Sequence, residues 1–109
     1  MVKYRLDDAA AAIASAPRRA LIDRLARGSA SMTELAAELE LSLPAIDKHL
    51  RRLERAGIVV KTKNGRTTRV SLQPGSLMEL ALWAMRTRLM WSNTLDRFAA
   101  HLDDTEERR

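Results

Sequence analysis

The sequence predicts a mainly α-helical protein of five helices, with one small β-hairpin before the last helix. Apolar residues recur at helical spacing along most of the chain, whereas segment 58–72 is rich in β-branched residues around an Asn-Gly pair. The chain has 109 residues, the size of one domain, and we therefore predict a single domain over 1–109. It has no cysteine, which excludes disulfides and thiolate metal sites.

The first two helices are predicted to be short. Ser15 suits the N-cap of the second helix because its hydroxyl can accept a backbone N–H, and Pro17 fits the first turn. Gly28 is expected to end this helix. The apolar stripe of the first helix, predicted over Tyr4–Ala14, consists of Leu6, Ala9 or Ala10, and Ile13.

The third and fourth helices are separated by about three residues. Ser31 and Glu34 have the spacing of a capping box, which starts a third helix that stops near Glu40. Ser42 can cap a fourth helix over 43–56. The inward stripe of the fourth helix consists of Ile46, Leu50 and Leu53.

After Gly57 the pattern changes from helical to extended. Residues 58–63 form one predicted strand and 66–72 the returning strand. Asn64 and Gly65 are expected to form the tight turn between them, because both residues tolerate positive φ. The result is a two-stranded basic ribbon.

The last helix is predicted over 76–102 and has a wide apolar seam at alternating spacings of four and three, broken once by Arg88. A large apolar stripe is rare on the surface of a monomer. We therefore expect a homodimer in which the first and last helices of two chains pack together. The interface residues would be Leu6, Ile13, Leu77, Ala81, Ala84, Arg88, Trp91, Leu95, Phe98 and Leu102.

The positive charge is concentrated in one segment. The net charge is +5, and residues 42–72 hold eight basic and two acidic residues, against eleven basic and twelve acidic in the rest of the chain. A solvated charged face is one interpretation, and a polyanionic partner is the other. The longest unbroken apolar run has six residues, and no signal peptide is visible, so we expect a cytoplasmic protein with no membrane partner.

The order of these elements favours the second interpretation. Two short helices of which the second is basic (about 32–56) are typical of a helix-turn-helix, and a cationic hairpin directly after them (about 58–72) is typical of a wing. In such a fold the second helix enters the major groove, and the wing contacts phosphates or the neighbouring minor groove. The sequence thus predicts double-stranded DNA as the partner.

The run Leu41-Ser42-Leu43-Pro44-Ala45-Ile46-Asp47-Lys48-His49-Leu50-Arg51-Arg52-Leu53-Glu54-Arg55-Ala56-Gly57-Ile58-Val59 resembles the winged-helix core of ArsR-type bacterial transcriptional repressors. The stretch 15–22 is similar to the part of that family that opens the second helix, and the resemblance spans about 8–102. It implies a homodimeric regulator, a repressor, that joins through its first and last helices and binds a two-fold symmetric operator. Leu43 and Asp47 depart from the family pattern, since many relatives carry Gln or Ser there.

The DNA contacts expected from helix phase, charge and this motif form three groups. The residues expected to approach bases or adjacent phosphates are Ser42, Leu43, Pro44, Lys48 and His49. Those expected to hold the DNA backbone are Arg18, Arg51 and Arg52. The wing contacts would come from Lys61, Lys63, Arg66 and Arg69. Asp47 would either accept from a cytosine amine or have a helix-dipole or intrahelical role. His49 would contact a phosphate or pack beside Leu53.

Other functions are less well supported by the sequence. No phosphate loop, nucleophile elbow or rigid carboxylate pair indicates an enzyme, and His101 beside Asp103 and Asp104 is too small a set for a metal site, so we expect neither a metal nor a cofactor. A small-molecule effector is conceivable but not indicated, because Trp83, Met85, Met90 and Trp91 suit dimer packing better. Two alternatives remain: a non-specific architectural DNA-binding protein, and a winged-helix protein-interaction module. The ratio of specific to non-specific DNA affinity distinguishes an architectural protein from a regulator. A protein-interaction module would show no DNA binding at moderate salt.

Overall fold

The computed structural model describes residues 2–107, with side chains from 6 to 104. The elements in chain order are α1 (Val2–Ala12), α2 (Ala16–Leu25), β1 (Ala30–Ser31), α3 (Met32–Leu39), α4 (Leu43–Arg55), β2 (Val59–Asn64), β3 (Thr67–Leu72) and α5 (Gly75–Glu107). The three strands form one antiparallel sheet in the order β1-β3-β2. The predicted fold class, mainly α with a small β-hairpin wing, is confirmed.

Serine caps set the helix starts, as predicted. The hydroxyls of Ser15, Ser31 and Ser42 each accept a backbone N–H from three residues further along the chain. The Glu34 carboxylate in turn accepts from the N–H of Ser31, which completes the capping box. Glu40 adopts a left-handed conformation with φ 55° at the end of α3, and the tight turn into α4 follows directly.

The C-terminal ends of three helices differ from the predictions, one of them that of α5, which reaches Glu107 rather than about 102. α1 ends at Ala12, before Ala14, where the guanidinium of Arg18 donates to the carbonyl of Ala12 and that of Arg19 to the carbonyl of Ile13, just past the helix. α2 ends at Leu25 rather than next to Gly28, because the chain tightens to hydrogen bonds that reach back three residues.

The sheet differs from the predicted ribbon in two ways. The short strand β1 adds a third member, with Ala30 paired to Val70 of β3. The turn of the hairpin has Gly65 and Arg66 at its centre, one position later than predicted, between the paired residues Asn64 and Thr67. Gly65 has φ +66° and Arg66 has no positive φ, which is the pattern of a type II′ turn.

The core lies between α2, α3, α4 and the sheet. The predicted stripe of α4 is confirmed, since all three of its residues are fully buried. α1 contributes Ala9 and Ala12, whose small side chains allow a close approach of the helix. The large fully buried side chains are Leu21, Leu35, Ile46, Leu50, Leu53, Ile58, Val59 and Val70.

Among the described residues of α5, those that pack on this core lie in its first turns. Leu77 and Leu80 lie against the core, and Ser76 is buried, whereas most later residues of the helix are exposed. None of the helices within 2–107 combines the length and apolar character that a membrane crossing requires.

Candidate nucleic-acid interface

The outer side of α4 carries a ridge of exposed residues opposite the buried stripe. Pro44, Lys48, Arg51 and Arg55 follow one another at intervals of four, three and four residues, so they lie on one face of the helix. Three of the four are basic. Arg55 was not among the expected DNA contacts, although its spacing from Lys48 and Arg51 already places it on this ridge.

The carboxylate of Asp47 lies between α4 and the hairpin, and it is bound to two cations. Its Oδ2 is 2.9 Å from Nε of Arg51, one turn further along α4, and its Oδ1 is 3.4 Å from Nζ of Lys61 on β2. The side chain of Lys61 is only 18% exposed and is directed towards α4 rather than outwards. Asp47 therefore connects the helix to the hairpin.

Arg18 holds the end of α1. Its Nε donates to the carbonyl of Ala12 at 2.6 Å and its Nη2 to the carbonyl of Ala11 at 3.3 Å. The side chain that the sequence assigned to the DNA backbone is thus half-buried and joins α2 to α1.

His49 is half-buried on α4, with a buried Nδ1 that has no hydrogen-bond partner within the described residues. Burial of the imidazole, and then the positive charges of Arg18 and Lys48, lower the pKa of His49 below its ordinary value of 6.5. The neutral imidazole therefore predominates at pH 7, and His49 adds little to the positive charge of the surface.

The four basic residues of the hairpin divide into two pairs. Lys61 is bound to Asp47, and Nε of Arg69 donates to the hydroxyl of Ser29 at 3.0 Å, which joins β3 to the loop before β1. Lys63 and Arg66 are exposed. No ion pair or side-chain hydrogen bond involves either of them within the part of the chain that the structure describes.

An open groove separates the hairpin from the first turns of α3 and α4. It is lined by Thr33, Leu43, Pro44, Asp47, Arg66 and Thr67, among others. Ser42 lies at the start of α4, and its hydroxyl oxygen is occupied by the cap. Thr33 and Thr67 were not singled out in the sequence, since nothing local indicates that the chain brings them together.

The residues predicted to join two chains lie mostly on the projecting part of α5. Ala81, Ala84, Arg88 and the apolar residues from Trp91 to Leu102 are exposed, whereas Leu77, Leu6 and Ile13 are half-buried within their own chain. No group of three or more His, Asp or Glu side chains that could hold a metal ion occurs among the described residues.

Two comparisons with known proteins match this architecture. Residues 17–61 match the sequence profile described as bacterial regulatory protein, arsR family. The HTH-type transcriptional regulator Rv2034 of Mycobacterium tuberculosis is 36% identical over 106 residues, which covers 94% of this chain and 94% of that protein. The chain belongs to the arsR family of bacterial regulatory proteins. The resemblance seen in the sequence is thereby confirmed.

Solved structures of arsR-like proteins share the fold. The ArsR-like transcriptional regulator from Rhodococcus sp. RHA1 superposes with a TM-score of 0.79 at 28% identity, covering 93% of each chain. Mb0332 from Mycobacterium bovis, described as a homodimeric winged helix-turn-helix DNA-binding domain, has a TM-score of 0.62 and covers 85% of this chain and 83% of that one. At 17% identity this second likeness concerns the fold alone.

Proposed function

We propose that this arsR-family protein is a transcriptional regulator that binds double-stranded DNA as a homodimer and represses transcription from the operator it occupies. The observation that carries the proposal is the set of exposed cations around α4 and the hairpin. Lys48, Arg52, Lys63 and Arg66 have no ion-pair partner within the described residues, so they are free to neutralise phosphates.

The N-terminal half of α4 is the part that enters the major groove, which makes α4 the recognition helix. Lys48 is the basic residue in the N-terminal half of this ridge, has no ion pair within the described residues, and reaches a base edge or an adjacent phosphate. Arg66, at the tip of the hairpin, and Lys63 contact phosphates, so the hairpin acts as the wing. Arg51 shares its charge with Asp47 and contributes less than its position suggests.

Self-association is supported by the exposed apolar side chains of α5. Trp91 is 61% exposed, and Leu95 and Phe98 are each 59% exposed. Water contact over such a stripe is unfavourable, and a second copy of the chain would remove it. The homodimeric state of Mb0332 from Mycobacterium bovis agrees with this arrangement. A two-fold dimer sets two recognition helices about 34 Å apart, one turn of DNA.

Selection of bound duplexes from a random pool tests the proposal directly. We expect an inverted repeat with half-sites one helical turn apart, and an affinity that falls steeply with salt. Equal affinity for selected and random duplexes would contradict it in favour of an architectural protein. Absence of DNA binding at moderate salt would contradict it in favour of a protein-interaction module.

Two charge-removing variants separate sequence reading from phosphate binding. Lys48→Ala should weaken binding to the selected site more than to random DNA. Arg66→Ala should weaken both about equally and lower the salt slope by about one unit. Arg97→Ala removes the same charge from an exposed position on α5 and should change neither. Identical behaviour of the Lys48 and Arg66 variants would contradict the division of roles.

Repression is tested by transcription in vitro from a promoter that overlaps the selected site. The bound dimer covers about two turns of DNA and should exclude the polymerase, so transcript should fall as protein is added. A promoter with a scrambled site should be unaffected. A rise in transcript from the intact promoter would show activation instead.

A further inference from the structure

We propose that Leu43 reads thymine: its side chain, supported by Pro44, packs against the C5-methyl group of a thymine in the major groove. The inference rests on the proposed function and names the base chemistry that this surface selects.

Leu43 is the one leucine of α4 that is not buried in the core. It begins the helix and is 48% exposed, whereas Leu50 and Leu53 of the same helix are fully buried. It also lies outside the cluster of side chains packed on the core. Pro44 follows it on the helix and is likewise exposed, and both line the open groove beside the wing. The first turn of the recognition helix therefore offers an apolar surface.

The polar groups in and next to that turn already have partners within the chain. The Ser42 hydroxyl oxygen accepts the backbone N–H of Ala45 at 3.2 Å. Both oxygens of Asp47 are engaged by cations, one by Arg51 and one by Lys61, which makes this carboxylate a weaker acceptor for a cytosine amine. Leu43 and Pro44 remain, and neither has a side-chain donor or acceptor.

An apolar side chain in the major groove distinguishes bases through one group. The C5-methyl of thymine is the apolar feature that a base pair presents there, and aliphatic side chains contact it in direct readout. Cations on both sides, Lys48 on the helix and Arg66 on the wing, would hold the backbone while the leucine meets the base. We therefore expect a thymine in each half-site, opposite the start of α4.

The test replaces each thymine of the selected operator in turn by deoxyuridine, which lacks only the C5-methyl group. Burial of one methyl predicts about a fourfold loss of affinity for a single half-site. The loss should occur at one or two thymines near the middle of the half-site, and substitutions outside the footprint should have no effect.

Protein variants assign the effect to Leu43. Leu43→Ala should bind the thymine and deoxyuridine operators equally, because the contact is gone from the protein side. Val60→Ala, which shortens another aliphatic side chain (41% exposed), should keep the wild-type sensitivity to deoxyuridine. Leu43→Gln should move the preference at that position towards adenine, whose N6 and N7 suit an amide.

Three results would overturn the inference while leaving the proposed function intact. In the first, the wild-type protein binds all deoxyuridine operators as tightly as the thymine operator. In the second, the Leu43→Ala variant remains as sensitive to deoxyuridine as the wild type. In the third, the selected half-sites contain no thymine. Absence of any preferred sequence would instead overturn the proposed function.

Discussion

Asp47 is an acidic residue on a helix proposed to meet phosphates, and the structure shows how its charge is accommodated. Helix phase indicates that it faces outwards, and pairing with Arg51 follows from their separation of four residues. Pairing with Lys61 does not follow from the sequence, because it depends on how the wing packs against α4. Two expected DNA contacts bind within the chain: Lys61 through this packing, and Arg69 through Ser29 in the loop before β1.

Asp47→Asn should raise affinity for random duplexes and lower the ratio of specific to random binding. The substitution frees two cations, Arg51 and Lys61, for phosphates, so the salt slope should become steeper by up to about two units. The free energy of unfolding should change by less than about 1 kcal/mol, since partly exposed ion pairs contribute little. Asp47→Glu, which keeps the charge, serves as the control. A salt slope identical to wild type in Asp47→Asn would contradict this role.

His49 should make the protein less stable as the pH falls. Its pKa is lowered in the folded chain, first by burial and then by Arg18 and Lys48, so below about pH 6.5 the unfolded chain binds more protons. Stability should therefore rise with pH up to about 6.5 and be lost progressively below it. Urea unfolding at pH 7.5 and 5.5 measures this loss, which should be smaller in His49→Gln. An equal loss in both proteins would exclude His49 as the cause.

Among the helices and strands, those defined by local signals were the predictable ones. Ser31 and Ser42 mark helix starts because a cap and its N–H lie three residues apart. β1 could not be predicted, since it has two residues and its partners lie about 40 residues away on β3. The position of the turn was also set at long range. A turn centred on Asn64 and Gly65 would shift the pairing by two residues, and Leu72 would lose its partner Val59.

Gly65→Ala tests the observed turn. Gly65 has φ +66° and open space where a Cβ would lie, so the cost is backbone strain alone, about 1–2 kcal/mol of unfolding free energy. Gly75 also has open space but no positive φ, and Gly75→Ala should be neutral or slightly stabilising. Urea unfolding of both variants measures the difference. Equal stabilities would contradict the strained position of Gly65 in the turn.

The molecule is elongated, with principal extents of 74 × 32 × 20 Å, because α5 projects beyond the core. A helix of 33 residues is about 50 Å long, and among the described residues its side chains that pack on the core lie in its first turns. The apolar seam could be read from the sequence because its spacing is regular. The spacing alone could not distinguish Leu77, which packs on the core of its own chain, from Trp91 and Leu95, which are exposed.

Replacing Trp91 and Leu95 together by Asp should convert the dimer to a monomer that no longer holds an operator. Two charges on the seam would have to be buried without partners, which costs more than the contacts between chains can offset. Both positions are exposed and lie beyond the core contacts of α5, so the winged part should keep its helical circular dichroism. Light scattering gives the molar mass, and anisotropy gives the DNA affinity.

The matched control places Asp on the other side of the same helix, at Asn93 and Arg97, both of which are exposed. These positions lie about half a turn away from Trp91 and Leu95, so this variant should remain dimeric and keep its two-fold binding mode. Monomers in the seam variant and dimers in the control would assign the interface to the seam. A seam variant that stays dimeric would place the interface elsewhere, and α5 would then no longer account for the spacing of the two recognition helices.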